Sequence, residues 1–403
     1  MRLGDICSKI GRGATPRGGK EAYSASGIPI IRSQNVLDWS FSSNGLAYLN
    51  DEQARTLSNV EVHQGDILLN ITGDSVARAC IVPSDVIPAR VNQHVAILRP
   101  KEKANATFIL AWLQTNKDLL LKLASSGATR NALTKRMLEG LDINLPSIDI
   151  QNHIAALISL IQSKINLNIK LNGYLLELAT TRFEQALFKS NRVVRLGDIV
   201  KLEDSKRVPL NSRDRDARKG PYPYYGATSI MDYVDDYLFD GIRVLLGEDG
   251  SVIDESGRPI LQYVWGKYWV NNHAHILAAA SDYSLEAIYI ALQRTPISHI
   301  VTGAVQRKIS QRNLNKLKLE MPDAKSLEYL QDIFAAYRCN CEENRGLVSL
   351  RDALLPKLMS GEIDVSKIDV AQLNSHLEKR KAAASVLSLI FPIALPGLWS
   401  PMQ

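Results

Sequence analysis

The polar loops of this chain carry arginine, lysine, glutamine, asparagine and histidine in a mixture suited to a DNA surface. Arg and Lys grip phosphates or guanine edges, while Gln and Asn pair bidentately with adenine. In the N-terminal half the candidates are Arg17 and Lys20, then Arg32-Ser33-Gln34-Asn35, then Thr72-Gly73-Asp74-Ser75 with Arg78, then Asn92-Gln93-His94, and last Thr129-Arg130-Asn131 with Lys135. The C-terminal half offers Lys206, Arg207, Asn211, Arg213, Arg215, Arg218 and Lys219, then His273, then Gln306-Arg307-Lys308 and Arg312. A surface of salt bridges alone would hold fewer amides, so base readout is the expected chemistry. Taken singly, each residue reads equally well as solvated surface, and Asn92 and Asn271 read as structural turn residues. The clusters carry the argument.

Catalytic motifs are missing. The glycine-rich stretch Gly11 to Lys20 invites a phosphate-binding reading, but Ala14 stands where a Walker loop needs glycine and Glu21 where it needs Ser or Thr. A nucleotide-using enzyme built on that loop is the minor alternative. There is no Gly-x-Ser-x-Gly elbow, no Asn/Asp-Pro-Pro-Tyr tetrapeptide for gripping a flipped adenine, and Pro322-Asp323 lacks the rest of a nuclease pattern. His273 and His275 share a strand face, yet alanine takes the place of His275 in the first half, so a duplicated metal site is not expected. Cys339 and Cys341 stand without a second pair, which argues against zinc, and four cysteines in 403 residues make no disulfide framework. The expectation is a chain with no catalytic residue, no metal and no cofactor of its own.

The elements that would hold these loops are written twice. Arg2-Leu3-Gly4-Asp5-Ile6 returns as Arg195-Leu196-Gly197-Asp198-Ile199, Val91-Asn92-Gln93-His94 as Val270-Asn271-Asn272-His273, and Ser126-Gly127-Ala128 as Thr302-Gly303-Ala304. The offset falls from 193 residues (Gly4 to Gly197) to 179 (His94 to His273) and 176 (Gly127 to Gly303), so the first copy carries extra loop residues. Short apolar runs such as Gly65-Asp-Ile-Leu-Leu69 and His94-Val-Ala-Ile-Leu98, with Arg243-Val-Leu-Leu246 and His275-Ile-Leu277 in the second copy, read as strands. One short helix is expected near the end of each copy, Ala106 to Thr115 and Ser284 to Arg294.

A long amphipathic helix follows each copy. Ile154, Ile158, Ile161, Ile165 and Ile169, widened by Leu157, Leu171, Leu175 and Leu178, recur at spacings of three and four over about 148 to 188. At a rise of about 1.5 Å per residue this helix is about 60 Å long. Leu330, Phe334, Tyr337, Cys341, Leu347, Leu350, Leu354 and Leu358 mark a second helix over about 325 to 359. Stripes of this length need a cover, and the two helices can cover one another as an antiparallel coiled coil. The fold class expected is α+β, with two similar, mostly β recognition domains (1–147 and 191–323), spacer helices (148–190 and 324–363) and a tail (364–403).

Composition agrees. The formal net charge is +6 and the pI about 9.0, a basic balance that favours a polyanion. Met1 to Gly11 lacks the apolar core of a leader, and Val386 to Trp399 is too short to span a membrane and is broken by Pro392 and Pro396. The cytoplasm is the expected compartment.

In this order the motifs resemble the specificity (S) subunits of type I restriction-modification enzymes. The resemblance rests on Arg-Leu-Gly-Asp-Ile opening both halves, on Gly65-Asp66-Ile67-Leu68, on Val91-Asn92-Gln93-His94, and on Leu145-Pro146 leading into a helix with Gln151. The stretch Leu350-Arg351-Asp352-Ala353-Leu354-Leu355-Pro356-Lys357-Leu358-Met359-Ser360-Gly361-Glu362-Ile363 completes it. It implies two target recognition domains, each reading half of a bipartite DNA sequence, and helices that act as a ruler and dock two modification (methyltransferase) subunits. S-adenosylmethionine, ATP and magnesium would then sit on the modification and restriction subunits. Removing a turn from each helix should shorten the gap in the target. The chain beyond about 365, with Glu378-Lys-Arg-Lys381, has no counterpart in that pattern. The competing reading is a stand-alone two-domain DNA binder, which needs no partner-docking helices.

Overall fold

The computed structural model describes residues 1–16, 18, 22–125, 131–303 and 306–367. The chain forms two compact units, one of Met1–Asn168 with residues 342–367 and one of Ile169–Cys341. Both long helices therefore contribute a part to each unit.

In the first unit the strands are β1 (Cys7–Arg12), β2 (Ile28–Ile31), β3 (Ala47–Leu49), β4 (Glu61–Val62), β5 (Ile67–Asn70), β6 (Ala79–Ile81), β7 (Ala89–Val91) and β8 (Val95–Pro100). They make two four-stranded sheets, β1-β8-β5-β6 and β3-β2-β7-β4. The first is antiparallel, with Ile67 opposite Leu98 and Leu68 opposite Ile97; the second includes the parallel pair β2 and β7. Successive side chains of a strand point to opposite faces, and the apolar residues here obey that period. Ile67, Leu69, Ala96 and Leu98 face a core with Phe108, Ile109 and Trp112 of the helix Ala106–Thr115. Leu68, Val95 and Ile97 face a second core with Ile30, Val62 and Val91 from the other sheet. An apolar run without alternation is the consequence of burial on both faces.

The second unit repeats the plan with β9 (Arg192–Arg195), β10 (Val200–Leu202), β11 (Lys219–Tyr225), β12 (Ile230–Val234), β13 (Phe239–Asp240), β14 (Arg243–Gly247), β15 (Leu261–Val264), β16 (Lys267–Val270), β17 (Ala274–Ala279) and β18 (Lys318–Met321). Its sheets β10-β17-β14-β15 and β12-β11-β16-β13 have the strand order of the first unit, and β11 with β16 is again the parallel pair. Val244, Leu246 and Leu277 face the helix Leu285–Arg294, whereas Leu245 and Ile276 face Val264, Tyr268 and Val270. The sequence repeat is thus a repeat of fold.

The central helix runs Ile148–Lys189 and the distal helix Tyr329–Ser360, with Pro356 inside its last turn. Gln151 ties the central helix to the first unit: it is buried, its Oε1 accepts from the N–H of Asn105 at 2.9 Å, and its Nε2 donates to the carbonyls of Pro146 and Lys103. Ile154 and Ile158 enter the first unit's core beside Leu355 and Leu358, with Leu354 half-buried against it. In the second unit Leu330 and Phe334 share a core with Ala179 and Phe183. Within the first unit Gln162 meets Arg351 at 3.0 Å and Asn168 meets Asn344 at 2.9 Å, so the helices run antiparallel.

The seam corrects the expectation of a continuous apolar stripe. Ile161 and Ile165 are buried, but the next inward positions are Asn168 and Asn172, which are 0% and 4% exposed. Leu175, Tyr337 and Leu347 are only half-buried, while Ile169 and Leu350 are exposed. Burying the asparagines is tolerable because they are satisfied. Asn168 Nδ2 donates to Glu343 at 2.8 Å and to Asn344, its Oδ1 accepts from Lys164 at 2.8 Å, and Lys164 pairs with Glu343 at 2.5 Å. In the second unit Asn172 Oδ1 accepts from Asn340 at 2.9 Å, and its Nδ2 donates to Cys341 Sγ at 3.2 Å. The helices pair through apolar ends and a polar middle.

Candidate nucleic-acid interface

The turn after β7 and the turn after β16 are built alike. Asn92 and Asn271 are buried, and each accepts on Oδ1 the N–H of the residue two further on, His94 at 3.1 Å and His273 at 2.8 Å. Both are structural turn residues. Each histidine is then held at Nδ1, by Thr72 Oγ1 at 2.6 Å in the first unit and by an Asp249 carboxylate oxygen at 2.6 Å in the second. A carboxylate only accepts, so His273 Nδ1 carries the proton. His94 Nε2 lies 3.1 Å from the amide nitrogen of Gln93, which is exposed. The side chain of His273 is 45% exposed and borders an open pocket of about 340 Å³ lined by Gly226, Thr228, Ser229, Met231, Asp249 and Ser251.

The loops from the ends of β5 and β14 complete the frame. Thr72 bridges Ala132, and Asp249 bridges Lys308. Gln306, Arg307 and Lys308 are all exposed, and Lys308 pairs with Glu248 at 3.3 Å. Gln93 and His94 in the first unit, and His273, Gln306, Arg307 and Lys308 in the second, therefore lie on equivalent loops of their own units. Thr72 is legible in the sequence as part of a polar loop, whereas Asp249 carries no such local signal. The signal for it is the echo of Thr72-Gly73 in Asp249-Gly250, visible once the halves are aligned through their strands.

Other candidates are placed differently. Arg17, Lys20 and Arg130 lie outside the described residues, as does the tail from residue 368. Asn35 is wholly buried: its Oδ1 accepts from Arg32 N at 3.0 Å, and its Nδ2 donates to the carbonyls of Ser42 and Asn44. No edge is left for a base, so Asn35 is a loop-shaping residue. Ser33 is half-buried, with its carbonyl accepting from Asn70. Arg32 and Gln34 both donate to the carbonyl of Gly45, and Arg32 also lies over the Tyr23 ring. Arg78 is half-buried, and Lys135 is exposed with Glu139 at 3.5 Å.

The basic run of the second unit is mostly engaged internally. Arg207, with its side chain 13% exposed, pairs with Glu248 at 2.6 Å and donates to the carbonyl of Ala274. Arg215 pairs with Asp232 at 3.3 Å and lies over Tyr224. These two guanidinium groups hold loops, which corrects the expectation that they grip DNA. Lys206 and Lys219 pair with Glu203 and Asp232 but are exposed, so a phosphate can exchange with the carboxylate. Arg213 is exposed, and its side chain makes no hydrogen bond or ion pair with a described residue.

Asp204, Glu248 and His275 are the one trio of metal-ligand types found clustered among the described residues. Their atoms are already used. Asp204 accepts from His275 at 2.6 Å, from the N–H of Ile276 at 2.8 Å and from Gln311 at 2.6 Å, while His275 Nε2 faces the carbonyl of Ile309 at 2.8 Å. Burial would raise the Asp204 carboxyl, but hydrogen bonds from His275 and Ile276 and the charge of Arg207 outweigh it and hold the carboxyl below its ordinary value. Glu248 is lowered likewise, burial being outweighed by Arg207 and His275. The trio is a structural lock. Among the described residues no helix is long and apolar enough to cross a membrane.

Two related modules, each a pair of sheets with polar loops around a shared turn, joined to paired helices with a basic net charge, define a DNA sequence-specificity protein. The family model for the type I restriction modification DNA specificity domain matches residues 1–175 and 189–337. The chain belongs to this family, and is by that membership the non-catalytic, DNA-recognising subunit of a type I restriction-modification system. The type I restriction enzyme MjaIX specificity subunit of Methanocaldococcus jannaschii is 22% identical over 411 residues, covering 91% of this chain and 94% of that protein. A Haemophilus influenzae protein named as a type I restriction enzyme specificity subunit is 30% identical over 127 residues, about a third (32%) of each chain. The crystal structure of the type I restriction-modification S subunit from M. genitalium shares the fold, with a TM-score of 0.51 at 15% identity over 89% of this chain and 95% of that one.

Proposed function

We propose that each unit reads one half of a bipartite, asymmetric DNA target, and that the paired helices set the gap between the halves and dock two modification subunits. The observation that carries this reading is the repeated frame: the same turn and the same loop pairing occur in both units, while the side chains mounted on them differ. A duplicated reader with identical side chains would suit a symmetric target; differing side chains suit an asymmetric one. The adenine methylation then belongs to the modification subunits, with their S-adenosylmethionine, and ATP-driven cleavage to restriction subunits with ATP and magnesium. Gln93, His94, His273, Gln306 and Arg307 are the residues best placed to reach DNA, with Lys206, Arg213, Lys219 and Lys308 supplying phosphate contacts.

Co-expression of the chain with its modification subunit, followed by mapping of methylated adenines, tests the proposal. The expected result is a split motif with two short specific halves and a fixed gap. Unsplit methylation from an assembled complex overturns it in favour of a stand-alone binder.

A further inference from the structure

One frame is built in each unit, and one exposed side chain mounted on it changes. In the first unit Gly73, at φ +76°, donates its N–H to the carbonyl of Asn131 at 3.3 Å. In the second, Gly250, at φ +77°, donates its N–H to the carbonyl of Arg307 at 3.0 Å. Glycine enters this left-handed region without the steric cost that other residues meet, so both loops are fixed by the same backbone device. The following bridges, Thr72 to Ala132 and Asp249 to Lys308, stay in step. Asn131 is therefore the counterpart of Arg307.

Both side chains are exposed, and neither makes a hydrogen bond or ion pair with a described residue. That separates Arg307 from Arg207 and Arg215, which are consumed by carboxylates. A polar group that no described residue engages, on a fixed backbone, is preorganised for an external partner. The two groups differ in what they match. An asparagine amide offers one donor and one acceptor, the complement of adenine N6 and N7, whereas a guanidinium offers two parallel donors, the complement of guanine O6 and N7.

The geometry points to Asn131 and Arg307 as one base-reading position used twice, Asn131 taking adenine in the first half-site and Arg307 taking guanine in the second. The inference rests on the reading above, that each unit addresses one half of a split target. His94 and His273, held at Nδ1 by Thr72 and Asp249, brace the frame from the side. A guanidinium also binds phosphate, and the test separates the two ligands.

The full chain is co-expressed with its modification subunit as wild type, as Arg307→Asn and as Asn131→Arg, and methylated sites are compared. Arg307→Asn is expected to shift one position of the second half from guanine toward adenine by roughly tenfold, with the first half and the gap unchanged. Asn131→Arg is expected to do the converse in the first half. The untouched half reports that each variant folds and assembles. Uniformly weaker methylation at every site, with the base preference kept, assigns Arg307 to phosphate and overturns the inference. An unaltered pattern overturns it, as does total loss of methylation from an assembled complex. Unsplit methylation by the wild type is a different failure, that of the underlying reading.

Discussion

Asp204 shows how much of the polar character of this chain is structural. Buried beside His275, it takes hydrogen bonds from three donors and has Arg207 at 3.7 Å. Asp204→Asn would turn an amide N–H toward His275 or Gln311, and breaking a buried charge pair from one side costs about 3–5 kcal/mol. Urea unfolding of the variant should show that loss at neutral pH. The acid limb gives a second readout. Asp204, Glu203 and Glu248 all have carboxyls held below their ordinary values, burial being outweighed by paired cations and hydrogen bonds. Depressed carboxyls stabilise the fold above the unfolded range of about 4, and that stability is lost as pH falls through the lower folded values. Wild-type stability should therefore drop more steeply than that of Asp204→Asn on acidification below about pH 4, and parallel curves would show that Asp204 contributes no such term.

The helices make a sharper case at the level of elements. Isoleucines at spacings of three and four announce an amphipathic helix, but they do not announce that Asn168 and Asn172 take the inward positions in the middle. Polar residues at single inward positions fix register at some cost in stability. Asn168→Leu alone leaves Lys164 and Glu343 without their shared partner and should cost about 1–3 kcal/mol by thermal unfolding. Replacing Lys164, Asn168 and Glu343 together by leucine should restore or raise the melting temperature while speeding amide hydrogen exchange along the seam. A triple variant less stable than the single one would show that the network adds net stability instead of register.

For the whole molecule, the ruler reading makes a measurable demand. A helix advances about 1.5 Å per residue, so removing two turns, seven residues, from both the central and the distal helix removes about 10 Å. At about 3.4 Å per base pair the gap in the methylated motif should shorten by about three base pairs, with both half-sites unchanged. A shortened chain that assembles and keeps the original gap would sink the ruler. The two units each hold their own cores and each take in parts of both helices, so length is the variable such a deletion changes.

By itself the sequence determined the duplication, the strands and the two helices, because period-two and period-3.6 burial is written directly into residue order. It determined the basic charge and the missing catalytic motifs for the same reason. Which polar side chains remain available was decided only by the tertiary structure. Arg207, Arg215 and Asn35 look like DNA ligands until Glu248, Asp232 and the carbonyls of Ser42 and Asn44 are folded against them. Those partners come from other strands and loops, so no local pattern records them. The equivalence of Asn131 with Arg307 is already written in the sequence, at the offset of 176 that relates Gly127 to Gly303. What the tertiary structure adds is that Gly73 and Gly250 fold the same loop onto both, because such long-range contacts appear only when the chain closes on itself.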